Sequence, residues 1–463
     1  MSADKEKNII KNVLQVDNEL LDNITTLIES NAEKSLLNIF ADLHPADIAE
    51  IINHLNLDDA TYTFSILDTE TAVEVVPDVD ENLREKILKD IDTETITDIV
   101  DELSSDDATD IVSDLSDEVA EHVLGNIDKE DADDVKELLK YDEDTAGGIM
   151  TSNFVFVTED ALVKDAIKEV RNNADEFDNI FHIYVLTKNN ELLGIVELKS
   201  LLITPLREGI STIIEDDLIT VTPNIDQEEV ANIIDKYDLV ALPVVDERNK
   251  MLGRITVDDV IDVIHEEASE DIQKIAGLSE EQESSDSVFR ISRIRLPWLL
   301  VALLMELVAA LVMKGYEDYI QNIFIATFFI PVVMAMGGST GTQAAIVMVR
   351  GLSTGEIWLN ESLKKLTKEF FVALLNGVVL GSILLVSVLI IFPRDELSMN
   401  FALVLSASLI IIIIIATVVG AFIPVILKKF NADPAIATGP FVTTTNDILG
   451  LFIYLTIIIL YFF

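Results

Sequence analysis

Cysteine is absent from the 463 residues, which excludes disulfides and thiolate metal centres and permits a reducing compartment. Histidine is scarce. Its five copies are scattered and form no HExxH pair, which argues against a zinc-dependent intramembrane protease, and the chain is read as a non-enzyme. The opening run MSADKEKNIIKN lacks the apolar core of a signal peptide, so the soluble part is expected in the cytoplasm. Basic residues are also few: 32 Lys and Arg stand against 82 Asp and Glu, a formal net charge of −50. That balance argues against nucleic acid, whose phosphates need Lys and Arg. It suits cations, and it makes a folded chain repel itself unless something neutralises it. For any single surface carboxylate, plain solubility is the simpler reading.

The charge is unevenly spread. Residues 1–289 carry 72 acidic and 21 basic side chains, whereas residues 290–463 carry 10 and 11 together with nearly all the long apolar runs. Residues 1–140 read as helices throughout. Apolar residues recur three and four apart, as in Ile48, Ile51, Ile52, Leu55 and in Ile111, Val112, Leu115, Val119. Breaks such as Ser104-Ser105-Asp106-Asp107 supply helix N-caps. LHPADIAEIINHL, DTETITDIVDEL and SSDDATDIVSDL resemble one another, as expected of a small superhelical stack of helix pairs.

The pattern changes near Tyr141. Strand-like runs, Phe154–Val157 and Phe181–Leu186, now alternate with helical segments. FVFVTEDALVKDAI is echoed by LITVTPNIDQEEVANII, and HIYVLTKNNELLGIVELKSLL by VALPVVDERNKMLGRITVDDVI, at an offset of roughly sixty residues. The order strand–helix–strand–turn–strand–helix in each copy resembles a tandem CBS pair, an α/β regulatory module that binds nucleotides or ions. From Val257 to about Ser287 the chain reads as one long polar helix. The expected plan is multidomain: an all-α superhelical domain (1–140), tandem CBS domains (141–256), a connecting helix (257–289) and a five-helix transmembrane domain (290–463).

The five apolar stretches lie at about 296–314, 321–349, 369–392, 399–427 and 441–462, each long enough for a span of about 20 residues. Arg290, Arg293, Arg295, Arg350, Lys364, Lys365, Lys368, Lys428 and Lys429 mark one side, against Lys314 and Arg394 on the other. The bias puts the N-terminus in the cytoplasm and the C-terminus outside. An odd number of spans denies one subunit an inverted repeat of equal halves, and a homodimer would supply symmetry instead.

Polar groups inside spans carry the chemistry. Pro331 and the run Gly337-Gly338-Ser339-Thr340-Gly341-Thr342-Gln343 allow either close helix packing or an unwound backbone lining a polar path. Asp447, in Thr443-Thr444-Thr445-Asn446-Asp447, must face a partner, a cation or water. Glu306 and Glu369 are the other acids within spans; Glu369 reads as interfacial and Glu306 has no assigned role. Asp433 stands at the cytoplasmic mouth of the fifth span and joins the metal-binding candidates. Thr hydroxyls beside one acid suit a hard cation, Mg²⁺, Ca²⁺ or Mn²⁺. Two copies of Asp447 would hold a hydrated ion without trapping it.

With LHPADIAEII, the DDxxD of Asp106 to Asp110, YDEDTAGGIMT, the CBS pair, VDDVIDVIHEEASEDI and the two pore segments in this order, nearly the whole chain resembles the MgtE magnesium-transporter family. The family's pore signature commonly reads GGNxGNQ, and here Ser339 and Thr342 replace the Asn residues. The resemblance implies a homodimer in the plasma membrane, passive Mg²⁺ flux, Mg²⁺ on Asp447, and a closed state glued by Mg²⁺. The matching regulatory positions are Asp106, Asp110, Asp259, Asp262, Glu267, Glu270 and Asp271, with Glu228 and Asp238 in the second CBS repeat. Asp259 and Asp262 share one helix face, and Glu267, Glu270 and Asp271 another, so a divalent ion would close what repulsion splays. Gly253-Arg254-Ile255-Thr256-Val257-Asp258-Asp259 resembles the CBS nucleotide signature, which implies ATP on Thr256 and Asp259. A proton- or sodium-coupled divalent-cation carrier and a CBS nucleotide sensor without transport are the alternatives.

Overall fold

The computed structural model describes residues 16–174, 179–278, 287–322, 324–359, 362–392, 399–430, 432–437 and 439–463. The run MSADKEKNIIKN, Arg394, Asn431 and the 279–286 part of the expected connecting helix lie outside the described residues. The chain divides into two units, Met1–Ile264 and His265–Phe463.

Among the described residues the first unit opens with ten short helices: α1 (Asn18–Glu29), α2 (Glu33–Phe40), α3 (Pro45–Asn53), α4 (Leu57–Ser65), α5 (Thr69–Val75), α6 (Glu81–Asp90), α7 (Thr93–Glu102), α8 (Ser105–Asp114), α9 (Asp117–Val123) and α10 (Lys129–Leu138). Asp17, Asn56, Asp68 and Asp92 each accept a hydrogen bond from a first-turn N–H, so the polar breaks do start helices. Ser104 holds the N-cap place of α8, but its hydroxyl donates to Asp107 at 2.8 Å instead. From α3 to α10 each helix packs on the one two further along, the expected superhelical ribbon. Helices this short are marginal alone. What holds them is a continuous core of Ile48, Ile51, Ile52, Ile99, Ile111 and Val112, all buried, each contributing roughly 1.5–3 kcal/mol.

The CBS pair follows. Its first copy comprises β1 (Phe156–Thr158), α11 (Val163–Asn172), β2 (His182–Leu186), β3 (Leu192–Glu197) and α12 (Leu198–Ile203). Strand β2 pairs parallel to β1 and antiparallel to β3. The second copy has α13 (Gln227–Tyr237), β4 (Ala241–Val245) and β5 (Met251–Thr256). It pairs β4 with β5, and Val221, bridged in parallel to Val244, takes the part of β1. The repeat is visible in two glycines. A Cβ on Gly194 would lie 2.4 Å from the Glu215 carbonyl oxygen, and one on Gly253 would lie 2.5 Å from that of Thr151.

Helix α14 (Val257–Ala276) continues from β5. It is shorter than the sequence suggests, because Gly277 adopts φ +85°, a left-handed helix stop. The second unit holds the rest of α14, then α15 (Val288–Gly315), α16 (Glu317–Asn322), α17 (Ile330–Ser353), α18 (Ser362–Ile391), α19 (Met399–Lys429) and α20 (Gly439–Phe462). Among the described residues five segments are long and apolar enough to cross a membrane, and the second includes a 3₁₀ turn at Phe324–Phe329. Pro331 does not interrupt that span. It sits in the first turn of α17, where no N–H is needed. The glycine run stays helical, so close packing, and not an unwound backbone, is what the glycines provide. A Cβ on Gly420 of α19 would lie 2.2 Å from the Gly341 carbonyl oxygen of α17.

This crossing yields a test. Gly420→Ala should destabilise the detergent-solubilised protein by about 1–3 kcal/mol through overpacking. Gly315→Ala, where a Cβ meets nothing within 4 Å, should not. Equal thermal midpoints for the two variants would contradict the close crossing.

Candidate functional site

The polar line within the spans is built by α17 and α20. A Cβ on Gly338 would lie 3.2 Å from Asp447 Oδ1 and 3.1 Å from Thr443 Cγ2. One turn on, a Cβ on Gly341 would lie 1.8 Å from Asn446 Nδ2. Two glycines on one face of α17 thus receive two consecutive polar side chains of α20. Thr342 Oγ1 and Thr443 Oγ1 share a hydrogen bond of 3.1 Å, while Ser339 is exposed. Asn446 is buried, and among the described residues neither end of its amide has a protein partner; the same holds for Thr445 Oγ1.

Glu306 gains an assignment that the sequence did not supply. It is half-buried on α15 and its charge acts on Asp447. The first and fifth spans run the same way and are pinned by Tyr316 Oη to Thr456 Oγ1 at 3.0 Å. Stepping back a similar distance along each helix reaches Glu306 and Asp447, at one depth. The only sequence signal was the depth of Glu306 within its span. Glu369 pairs with Lys365 at 3.6 Å, in keeping with an interfacial place.

The first unit gathers a second group of acids. Arg84 of α6 donates to Asp114 of α8 at 2.7 Å, and its charge also reaches Asp107 and Asp110. The first turns of α14 bring Asp259 near Asp106 and Asp262 near Asp78. Burial first, and then the Asp106 charge, push Asp259 up to about 7 and Asp107 up to about 6. Burial likewise pushes Asp110 up to about 7, although that residue keeps much of its surface open to solvent, so Asp107 and Asp259 carry the pH argument. Asp106 Oδ1 is buried without a protein partner among the described residues.

Among the described residues no three acids or histidines converge closely enough to form a metal cage. Mg²⁺ does not require one, since it is usually held by one or two carboxylates and retained waters. Thr256 and Asp259 satisfy each other: the Thr256 hydroxyl and N–H donate to Asp259 Oδ2 at 2.6 and 3.2 Å. Glu228 lies in the first turn of α13 and Asp238 caps its far end, so the two stand roughly 15 Å apart.

In the second unit, Glu270 and Asp271 of α14 meet Asp433, between α19 and α20. Lys274 Nζ pairs with Asp433 Oδ2 at 2.8 Å and also with Glu270. Burial opposes the Lys274 charge, but the hydrogen bonds and charges of Asp433 and Glu270 outweigh it and raise its pKa. Burial and then Asp433 raise the pKa of Asp271, against Lys274 and a hydrogen bond from Ser353. Glu267 is half-buried one turn earlier.

The raised acids of the first unit fix a sign. Unfolded Asp titrates near 3.9, so between there and about 7 the folded state binds more protons than the unfolded one. Stability therefore falls as pH rises through that window. In chelator, the full-length protein should melt its first unit at lower temperature near about pH 8 than near about pH 5.5. Asp259→Asn should narrow the gap, and an unchanged gap would contradict the assignment.

Known proteins resemble this chain. Residues 330–457 match the family model MgtE, a divalent cation transporter; residues 43–144 match the MgtE intracellular N domain, and 146–205 and 210–266 match the CBS domain. The chain is 36% identical over 320 residues to the magnesium transporter MgtE of Bacillus subtilis, across 69% of this chain and 70% of that one. With the magnesium transporter MgtE of Thermus thermophilus it shares 33% over 328 residues, 70% of this chain and 71% of that one. Among solved structures, the soluble part of a magnesium transporter aligns at TM-score 0.48 and 28% identity, covering 54% of this chain and 98% of the other. The family models fall in order on the helical ribbon, the CBS pair and the last four spans, and the chain belongs to the MgtE family of magnesium transporters.

Proposed function

We propose that this chain is a Mg²⁺-selective channel, working as a homodimer in the cytoplasmic membrane and closed by cytosolic Mg²⁺. The observation that carries it is Asp447: a carboxylate within a span, with no protein cation beside it among the described residues, set against glycines and threonine hydroxyls. A carboxylate at that depth needs a cation or water. Hydroxyls and acid make an all-oxygen lining suited to a hard ion that keeps its waters. A second copy would double the negative charge without building a trap. The relatives' names, magnesium transporter MgtE, give the ion.

Closure uses the other acids. Mg²⁺ between Asp106 and Asp259, and between Asp78 and Asp262, would relieve repulsion that burial sharpens. An ion that binds the closed form better shifts the equilibrium by that difference in affinity. Asp110, Glu267, Glu270, Asp271, Glu228 and Asp238 belong to the same acidic set, and the bound state would be transmitted along α14. ATP on the second CBS repeat would have to part Thr256 from Asp259, so ATP and metal on Asp259 are coupled. The N-terminus is taken as cytoplasmic from the basic flanks.

One observation favours a proton-coupled carrier instead, the neighbouring carboxylates of Glu306 and Asp447. Reconstituted vesicles separate the readings. Mg²⁺ flux should persist with no proton or sodium gradient, and Asp447→Asn should cut it by about tenfold or more, a loss of ~1.4 kcal/mol of cation stabilisation. Flux that required a proton gradient, or that survived in Asp447→Asn, would contradict the channel reading.

A further inference from the structure

Lys274 is a cation within the strongly acidic stretch of α14. Its ammonium pairs with Glu270 one turn back on α14 and with Asp433 Oδ2 at 2.8 Å, and a quarter of its side chain stays exposed. The other oxygen of Asp433 is also used: Oδ1 accepts from the Ala435 N–H at 2.8 Å and holds the 3₁₀ turn Ala435–Ala437 before α20. Lys274 therefore fixes the rotamer of a residue that shapes the approach to the helix carrying Asp447.

Two backbone contacts lie beside this pair. A Cβ on Gly277 would sit 2.4 Å from Pro440 Cδ, and one on Gly439 would sit 2.6 Å from the Ile275 carbonyl oxygen. The end of α14 is thus pressed on the first turn of α20, two turns before Asp447. Apolar contact alone would let α14 slide there; a charged hydrogen bond at the same place adds a directional tie.

We propose that Lys274 is a positioning residue for the ion path, a tethered cation that latches the end of α14 to the turn before α20 and favours the closed state without any divalent ion. The latch rests on the reading that Asp447 lies in the path. It gives Glu270 and Asp433 a resident counter-ion, so a metal that reaches them must displace an ammonium held in cis. It also makes closure the sum of two parts, one fixed by the chain and one set by cytosolic Mg²⁺.

The test is current in excised patches of the full-length protein, with chelator on the cytosolic face and Mg²⁺ on the outer face only. Regulatory metal is then absent and the latch acts alone. Lys274→Met should raise the mean current about fivefold, whereas Lys274→Arg, which keeps the charge, should stay near the parent. Asp433→Asn keeps the acceptor for Ala435 and removes the charge, so it should raise current to a similar degree. The double variant should match each single one, because both remove one interaction. Parental current in Lys274→Met, or effects that multiply in the double variant, would overturn the latch while leaving the channel reading intact. Absence of Mg²⁺ current in the parent would overturn the channel reading, and the latch with it.

Discussion

Burying a carboxylate costs several kcal/mol unless a cation, a proton or water compensates it. This chain meets that cost in several places, by different means. Asp114 has Arg84, at 2.7 Å. Asp433 has Lys274, at 2.8 Å. Asp107 and Asp259 are pushed toward protonation by burial and then by the Asp106 charge, and Asp447 stands within a span near Glu306. The acids without an ion pair of their own among the described residues are the ones a diffusible cation can address. That distinction separates the ligand-responsive carboxylates from the many that only keep the chain soluble.

Glycine does the complementary work in the membrane unit. Gly338 and Gly341 leave room on α17 for Asp447 and Asn446, and Gly341 also lets Gly420 of α19 approach. Three helices converge because α17 and α19 meet glycine to glycine and leave the space at the crossing to the polar side chains of α20. A polar line can then exist at a depth where side-chain bulk would otherwise fill the space. The buried amide of Asn446, with no partner at either end among the described residues, belongs to this line.

Much of the architecture was legible in the sequence because periodicity and turn chemistry are local. The heptad-like spacing of Ile48, Ile51 and Ile52 named the ribbon core, and the echo between Gly194 and Gly253 segments named the CBS pair. Helix ends were less legible: a lone Gly277 gave no warning that α14 would stop at Ala276. Asp259 and Asp262 could be placed together by helix spacing, but their neighbours Asp106 and Asp78 are set by tertiary packing. The same holds for Glu306 beside Asp447, more than a hundred residues apart along the chain, and for Lys274, whose role depends on Asp433 from a distant loop. Charge of either sign draws notice in a sequence; which charges meet is a property of the fold.

Acids without an ion pair of their own among the described residues make the path respond to the ion it carries. The most direct measurement is patch-clamp current through the full-length protein with cytosolic Mg²⁺ varied and the outer Mg²⁺ fixed. The current should fall steeply as cytosolic Mg²⁺ rises into the millimolar range, and Asp106→Asn with Asp259→Asn should blunt the fall. A current indifferent to cytosolic Mg²⁺ would contradict it.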